Sequence, residues 1–592
     1  MVGEVSDFEP ADRRRHARVV RFLVLVAAAL LFFVRLGSTY LWQDEAQTAL
    51  LGRQILRHGV PLTGKGAASA SALAGRDTGI GGLFLHIPPL QAYLAAAGMA
   101  LFGETALGAR FFFTLSGFAC VCVLPWAMGR SWPLGTTTAA QLALALHVPF
   151  LLFSRQARYY APAAFLVLVA VGALTRLGPA RTDTERRALY EAGLAVALAL
   201  LALTFEFAYL SALAGTVVVL FWIVFRRRHE RGWAGLRSLW PCVPSILLFL
   251  SWLWLARTAP SRRGGQGYSE SAPDFPSYFL GQVNAYVVPL AVVLVLLSCY
   301  AAVRLRQRRV ATTDRGGDAF VFLSLLISAV HLTLCTFTTH RFMRYVVPVV
   351  PLLVAATVAV LYYVTELGAR AAWPRWFRTA LMLVLISGLW SGRDGAGRAW
   401  LPWERWLEQA TGCRWSRRNG VHLAAYVREL RKPPRGPVAR VVDYLRTHAN
   451  PGAVVVAAYG EKPLKFHTRC AVFGGETGNL PPGTAHWIWP RYIPAPWWEL
   501  KGAMRWIEER LAEGGYEAVE FRGTVDSIWE NRPDPEWHVF SESQRRELFR
   551  DAPTVRLYRK REATSVRAGS PGNRLRKPAV GHRLPARRSL PR

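Results

Sequence analysis

The sequence predicts a polytopic α-helical membrane protein carrying a small C-terminal α/β domain outside the bilayer. Three observations lead there. Of the 592 residues, 52% are hydrophobic and only 19% are charged. The charges fall in clumps between long apolar runs, and the net charge of +33 lies mainly in short loops bordering those runs. A soluble chain of this length would divide into several domains with charge mixed over every surface.

The first element is the run 19–34, VVRFLVLVAAALLFFV, preceded by the basic stretch Arg13–Arg18. A bilayer core of about 30 Å needs roughly 20 apolar residues. No Ala-x-Ala site follows, and many similar runs come later, so a first transmembrane helix is expected rather than a signal peptide. The expected runs lie near 19–37, 107–128, 136–153, 160–175, 189–205, 207–225, 237–255, 283–303, 319–338, 344–364 and 378–390, about eleven in all. The segment 86–102 opens with His86-Ile87-Pro88-Pro89 and is read as an interfacial or re-entrant helix. With the N-terminus inside, the loops at Arg130, Arg176–Arg187, Arg226–Arg237, Arg304–Arg315 and Arg370–Arg378 all become cytoplasmic, as the positive-inside bias requires. The expected location is a bacterial inner membrane.

The expected divisions are a basic cytoplasmic N-terminus, 1–18, and a membrane module, 19–391, with external loops 38–106 and 256–282. An external connector, 392–434, leads to an α/β domain, 435–560, and a basic disordered tail, 561–592. In 256–282 the Gly- and Ser-rich stretch Gly264–Asp274 is a candidate lid. Pro433-Pro434-Arg435-Gly436-Pro437 is a stiff linker. Beyond it, helical periodicity over Val438–Ala449 and 501–514 alternates with strand-like Ala453–Tyr459 and Tyr516–Arg522.

Several function classes drop out. No basic patch interleaved with aromatics and no zinc-finger spacing appears, which argues against nucleic acid. Neither a Walker motif nor a Gly-x-Ser-x-Gly elbow occurs, so the chain holds no motif for an ATP motor. Gly79-Ile80-Gly81-Gly82 follows no strand and is no nucleotide fingerprint. Cys120, Cys122, Cys242, Cys299 and Cys335 read as packing residues in or beside apolar runs. Cys413 and Cys470 fall in the polar C-terminal region, where an oxidising compartment would let them pair.

Four polar clusters collect on the external side. Trp42-Gln43-Asp44-Glu45-Ala46 follows the first span. Its acids read either as solvated loop residues or as acids held in a cleft by a surface helix. His86 stands at the rim of the 86–102 helix, where it caps the helix or meets a phosphate or sugar hydroxyl. Ser154-Arg155-Gln156-Ala157-Arg158-Tyr159-Tyr160 puts arginines where positive charge is least expected. They pair with Asp44 and Glu45, grip an anion, or snorkel. His340-Arg341-Phe342-Met343-Arg344-Tyr345 is the fourth, a second arginine turn suited to phosphate. Glu206 adds an acid amid apolar sequence.

These motifs resemble the integral-membrane glycosyltransferases of the GT-C fold, which include protein O-mannosyltransferases and lipid A aminoarabinose transferases. The resemblance rests on Trp42–Ala46, His86–Leu90, Ser154–Tyr159, and Arg344-Tyr345 with Pro348 and Pro351, in the family's order over roughly residues 20–365. It implies a GT-C type fold, a polyprenyl-phosphate-linked sugar as donor, and an acceptor reached from the periplasmic face. It also implies that Asp44, with Glu45, is the catalytic centre. Members of the aminoarabinose type carry Lys at the place of His86 and an Asp near Arg158-Tyr159. The chain is more similar to the rhizobial lipopolysaccharide sugar transferases.

The chemistry fits that resemblance. Transfer from a lipid phosphate needs a base for the incoming hydroxyl, here Asp44, and positive charge on the departing phosphate. Arg344, with Arg341 or with Arg155 and Arg158, supplies that charge. Donor phosphate or sugar binding is therefore expected at His86, Arg155, Arg158, Tyr159, Glu206, His340, Arg341, Arg344 and Tyr345. Inversion follows from a single displacement, whereas a retaining route needs a carboxylate positioned as nucleophile. Asp44, Glu45 and Glu206 are hard ligands suited to Mg2+ or Mn2+, although the arginines do the same neutralising work. The acceptor is a lipid, glycan or protein hydroxyl, membrane lipids are partners, and nucleic acid is not. A transporter or flippase for a lipid-linked or anionic substrate is the alternative; it would spread ionisable groups through the midplane instead of gathering them at one surface. A scaffold whose outer domain binds cell-wall partners is a third reading.

Overall fold

Apolar runs separated by polar breaks become a bundle of helices in the computed structural model. It describes residues 11–129, 132–177, 184–231, 239–263, 275–301 apart from 289, 291, 292, 295 and 299, then 315–338, 342–368, 423–493, 498–528, 532–534, 550 and 552–561. His340, Arg341, the stretch Gly264–Asp274, the run 378–390, Cys413 and the tail lie outside the described residues.

The chain opens with α1 (Ala11–Phe33), whose apolar face is largely exposed, as suits a helix facing lipid. Then α2 (Gln43–His58) begins where Glu45 folds back to the Trp42 amide, and it ends at Gly59 with φ +78°. The helix α3 (Leu90–Phe102) has 13 residues, a length of about 20 Å at 1.5 Å per residue. That is short of a bilayer core.

The helix α4 (Ala106–Met128) is long and apolar. The run 136–153, expected as one span, is instead two helices, α5 (Leu134–Ala145) and α6 (Val148–Ser154), bent by 63°. The break has a local cause. The His147 ring accepts from the Phe150 amide at 3.1 Å, and Pro149 at the start of α6 has no amide to continue the ladder. Next come α7 (Tyr160–Leu177), α8 (Thr184–Ala202), α9 (Glu206–Arg231) and α10 (Cys242–Ala256). They are followed by α11 (Phe275–Tyr286), α12 (Arg315–Cys335) and α13 (Val350–Gly368). Tight turns at Met343–Tyr345 and Val347–Val349 delay the start of α13, because Pro348 and Pro351 remove amides from its first turns.

Among the described residues, five helices are long and apolar enough to cross a membrane, or six if the bent pair is one span. Of the eleven runs expected, 378–390 lies outside the described residues and 283–303 is described only in part. Several runs yield helices that are too short or end in charge, such as Cys242–Ala256 and Glu206–Trp222. The core of the bundle is built by α7 and α13, each 83% buried over its span. Small residues on α7 permit close approach: a Cβ at Gly172 would lie 2.2 Å from the Trp126 ring.

After α14 (Leu423–Arg431), a five-stranded sheet stands at one end of the bundle. It runs β1 (Val454–Ala457), β2 (Ala471–Gly474), β3 (Trp487–Trp489), β4 (Tyr516–Val525) and β5 (Thr554–Lys560), in the order β2-β1-β3-β5-β4. β1 is parallel to both β2 and β3, while β5 pairs antiparallel with β3 and β4. Helices α15 (Pro437–His448), α16 (Glu461–His467) and α17 (Trp498–Ala512) complete it. One core holds α15 against β1, and a second holds α17.

The sheet is fastened to the first external loop. Tyr40 donates to Asp443 Oδ1 at 2.6 Å, and the Leu41 amide donates to His467 Nε2 at 3.0 Å. Lys465 Nζ donates to the Ser69 carbonyl at 2.8 Å, and Arg53 donates to the carbonyls of Lys465 and Phe466. Phe466 itself enters the apolar cluster between α2 and α3. The end of the bundle bearing Asp44 is thereby roofed by α16.

Candidate active site

The site begins at the first turn of α2, where Asp44 and Glu45 take opposite fates. Glu45 is fully buried and paired with Arg110 of α4, Nη2 to Oε2 at 2.6 Å and Nε to Oε1 at 2.7 Å. The Ala157 amide donates to Oε1 at 2.8 Å, and the Trp42 amide to Oε2. Arg110 spends its remaining donors on the carbonyls of Leu36, Thr39 and Tyr40. Every strong valence in this pair is used within the protein. Glu45 thus ties α2, α4 and the 154–159 turn together.

Asp44 keeps 20% of its side chain accessible. Arg344 Nη1 donates to its Oδ2 at 2.8 Å, and Arg158 Nη2 lies 3.9 Å from the same oxygen. Burial pushes the Asp44 carboxyl up, but Arg158, Arg344, Lys462 and Arg532 outweigh it and hold the group below its ordinary value. Both guanidiniums are themselves largely buried, with side chains 6% and 12% exposed. Their Nε atoms are buried with no hydrogen-bond partner, as is the hydroxyl of Tyr160. Three donors therefore lie close to one carboxylate with unused hydrogen-bonding capacity, which is costly in the absence of a ligand.

Aromatic rings line the same place. Tyr159 stacks on Phe205 at 4.6 Å, and Phe205 stacks on Tyr345 at 6.1 Å. Arg344 lies over the Phe342 ring at 3.9 Å, and Arg532 of the outer sheet lies over the same ring at 4.8 Å. From below, buried His331 of α12 bonds the Tyr345 carbonyl through Nε2 at 2.6 Å and meets Ser211 Oγ at 2.9 Å. The Arg344-Tyr345 turn is fixed from inside the bundle.

Arg158, Tyr159, Arg344 and Tyr345 thus converge on Asp44. Arg155 does not. It donates to the carbonyls of Leu31, Phe32 and Val34, satisfying the C-terminal end of α1. A tight turn through Gln156 and Ala157 separates Arg155 from Arg158, and the helical face they were expected to share is absent, since α6 stops at Ser154. Glu206 accepts from the Trp252 indole at 3.0 Å; its neighbour Phe205 is the residue that joins the aromatic stack. His86 packs edge-on to Phe84. Among the described residues no group of acids, His or Cys gathers into a metal-ligand set. Glu45 is committed to Arg110 and Glu206 to Trp252, so Asp44 stands among guanidiniums without the two acids expected to share a metal with it.

Tyr160 stands in the third polar cluster without a role of its own, and Arg110 and the residues of the outer sheet were not among the expected site residues. Arg110 is a charge within an otherwise apolar run, the signal that marks an intramembrane site. Lys462, Glu476 and Arg532 carried no such signal, because their approach to Asp44 depends on docking between segments some four hundred residues apart.

No protein-family model matches the chain, and no curated protein matches it. Solved structures do. ArnT from Cupriavidus metallidurans in the apo state aligns with a TM-score of 0.53 and 16% identity, over 77% of this chain and 86% of its own. The same protein bound to undecaprenyl phosphate aligns at 0.52 and 13% identity, over 92% and 98%. The chain has the GT-C fold. At this identity the likeness speaks to architecture, and the second alignment extends it across nearly the whole length.

Proposed function

We propose that this protein is a membrane glycosyltransferase that moves a sugar from a polyprenyl-phosphate donor to a hydroxyl of a lipid, glycan or protein acceptor. The observation that carries the reading is the Asp44 cleft. An anionic group held by two buried guanidiniums, each with an Nε to spare, is built to exchange or share its charge with a phosphate. Tyr160 supplies a third donor. The undecaprenyl phosphate bound to the ArnT structure of the same fold is a ligand of that chemistry.

In this reading Arg344 and Arg158 take the charge that grows on the departing phosphate oxygen. A phosphate is a competent leaving group, so electrostatic stabilisation matters more than protonation. Both arginines contact Oδ2 of Asp44, and Oδ1 serves the acceptor hydroxyl as the first proton acceptor. Attack from the face opposite the phosphate inverts the anomeric centre. The aromatic stack Tyr159-Phe205-Tyr345 gives the sugar or the lipid a flat apolar wall. Glu45 and Arg110 hold the α2 turn, and no step needs a metal ligand set. The cleft faces the periplasm when the N-terminus is cytoplasmic.

Purified protein incubated with a panel of undecaprenyl-phosphate sugars, with water or an added hydroxyl compound as acceptor, should release undecaprenyl phosphate from one of them. Asp44→Asn should abolish that release while leaving donor binding in place. Movement of an intact lipid-linked sugar across a vesicle membrane, with no release, would instead identify a transporter.

A further inference from the structure

Above Asp44 the outer sheet contributes a second cluster that the transfer reading has not used. Gln43, the residue before Asp44, donates through Nε2 to Glu461 Oε1 at 2.9 Å and to Glu476 Oε2 at 3.1 Å. Lys462, fully buried, forms an ion pair with Glu476. Two carboxylates therefore share one ammonium and one amide. Glu461 is fully buried, and its Oε2 has no partner. It is pressed against the turn after β2, where a Cβ at Gly475 would sit 1.9 Å from that oxygen; φ at Gly475 is +56°. Lys465, one turn along α16 with its ammonium on the Ser69 carbonyl, also feels the Glu461 charge.

Access separates its members. Glu461 and Lys462 are sealed, whereas 12% of the Glu476 side chain remains accessible, as does part of Asp44. Glu476 is thus the member of the cluster open to water; it is joined through Gln43 to the turn that bears Asp44 and feels the Asp44 charge.

We infer that Glu476 is the proton outlet of the Asp44 centre, accepting the acceptor's proton from Asp44 and passing it to water. This rests on the transferase reading. As the acceptor oxygen bonds to the anomeric carbon, the bond from that carbon to the phosphate oxygen breaks and its electron pair leaves with the phosphate. The hydroxyl proton passes to Asp44, then to Glu476.

The direction of transfer follows from the charges. Burial raises the Glu476 carboxyl first, Lys462 lowers it, and Glu461 and Asp44 raise it, to about 7. Asp44 lies below its ordinary value among its guanidiniums, so a proton runs downhill to Glu476. The charged groups facing Glu476 are Lys462 and Glu461 from α16 and Asp44 from α2, and the buried Tyr459 after β1 faces it as a further titratable group. The loop before α3, whose Ala74 amide donates to the Glu476 carbonyl, and α17 also pack on this turn. Among the described residues neither pairs a charged side chain with the Glu476 carboxylate.

The experiment uses full-length protein, the undecaprenyl-phosphate sugar it turns over, and either water or azide as acceptor across pH 5 to 9. Azide is an anion and delivers no proton. Wild-type hydrolysis should rise with pH through about 7, as Glu476 ionises. Glu476→Gln should lose that limb and hydrolyse about a hundredfold more slowly, yet transfer to azide at the wild-type rate. Glu476→Asp should retain a shifted limb. An unchanged limb in Glu476→Gln, or azide transfer falling in step with hydrolysis, overturns the inference. Infrared titration judges proton binding without turnover: a carboxylic acid band vanishing near neutrality in wild type should be missing from Glu476→Gln. The same band in the variant, or none in wild type, also overturns it. A wild type that releases no undecaprenyl phosphate from any sugar defeats the transferase reading instead.

Discussion

Two adjacent acids on the same turn of α2 have become different devices. The Glu45–Arg110 knot is closed: both carboxylate oxygens and the guanidinium find partners within the fold. The Asp44 cleft is open: two guanidiniums and a tyrosine hydroxyl keep buried donors without partners. Closed pairs of this kind hold structure, because removing one partner strands a buried charge. Open ones hold ligands, because the free protein bears the cost of unsatisfied donors until a ligand arrives. Neighbouring positions in sequence need not share a role; the partners that reach them decide.

The largest test of this contrast is on rate. Asp44→Asn should cut sugar transfer by about 10²- to 10⁴-fold with little change in thermal stability. Glu45→Ala should do the reverse, destabilising the fold by about 3–5 kcal/mol and lowering the yield of folded protein, because it leaves Arg110 buried without its carboxylate. If Glu45→Ala folds normally and loses only activity, the knot is part of the chemistry and the contrast fails.

Next in size is phosphate capture. Each charge-assisted hydrogen bond is worth about 1.5–3 kcal/mol, so Arg344→Ala should weaken undecaprenyl phosphate binding by about 10- to 100-fold in a direct binding assay. Binding of undecaprenol, which lacks the phosphate, should not change. Arg155→Ala should leave phosphate affinity intact and cost stability, since its donors close the end of α1. Tyr160→Phe should have a smaller effect, roughly severalfold on donor affinity, because one neutral hydrogen bond is worth about 1 kcal/mol.

The smallest effect concerns the roof over the cleft. Burial, then Arg110, Arg446 and Arg53, push the His467 imidazole down to about 3, and it accepts from the Leu41 amide in its neutral form. A depressed folded value means stability is full above the ordinary histidine value of 6.5 and is lost as pH falls from there through that of the folded state. The protection factor of the Leu41 amide, its exchange taken relative to the intrinsic rate at each pH, should therefore fall between pH 6.5 and 4, and His467→Gln should flatten that response.

Much of the cleft was legible in the sequence. Arginines outside a membrane and acids directly after a first span are expensive enough to need each other, and Asp44, Arg158 and Arg344 do meet. What was illegible depended on local backbone or on remote docking. Helical spacing placed Arg155 beside Arg158, but α6 ends at Ser154 and the following turn sends Arg155 to α1. The run 136–153 reads as one apolar span until His147 and Pro149 break it. The helix-and-strand alternation after residue 435 is visible in the sequence, whereas β5 and the seating of α16 on α2 are not, because both are settled by contacts across the chain.

The central claim is that the open cleft, and not the closed knot, carries out the transfer. Single-turnover release of undecaprenyl phosphate from its sugar, measured on equal amounts of folded wild type and Asp44→Asn, tests it most directly. The account predicts a burst from the wild type and no release from a variant that still binds the donor. Release at the wild-type rate by Asp44→Asn would contradict it.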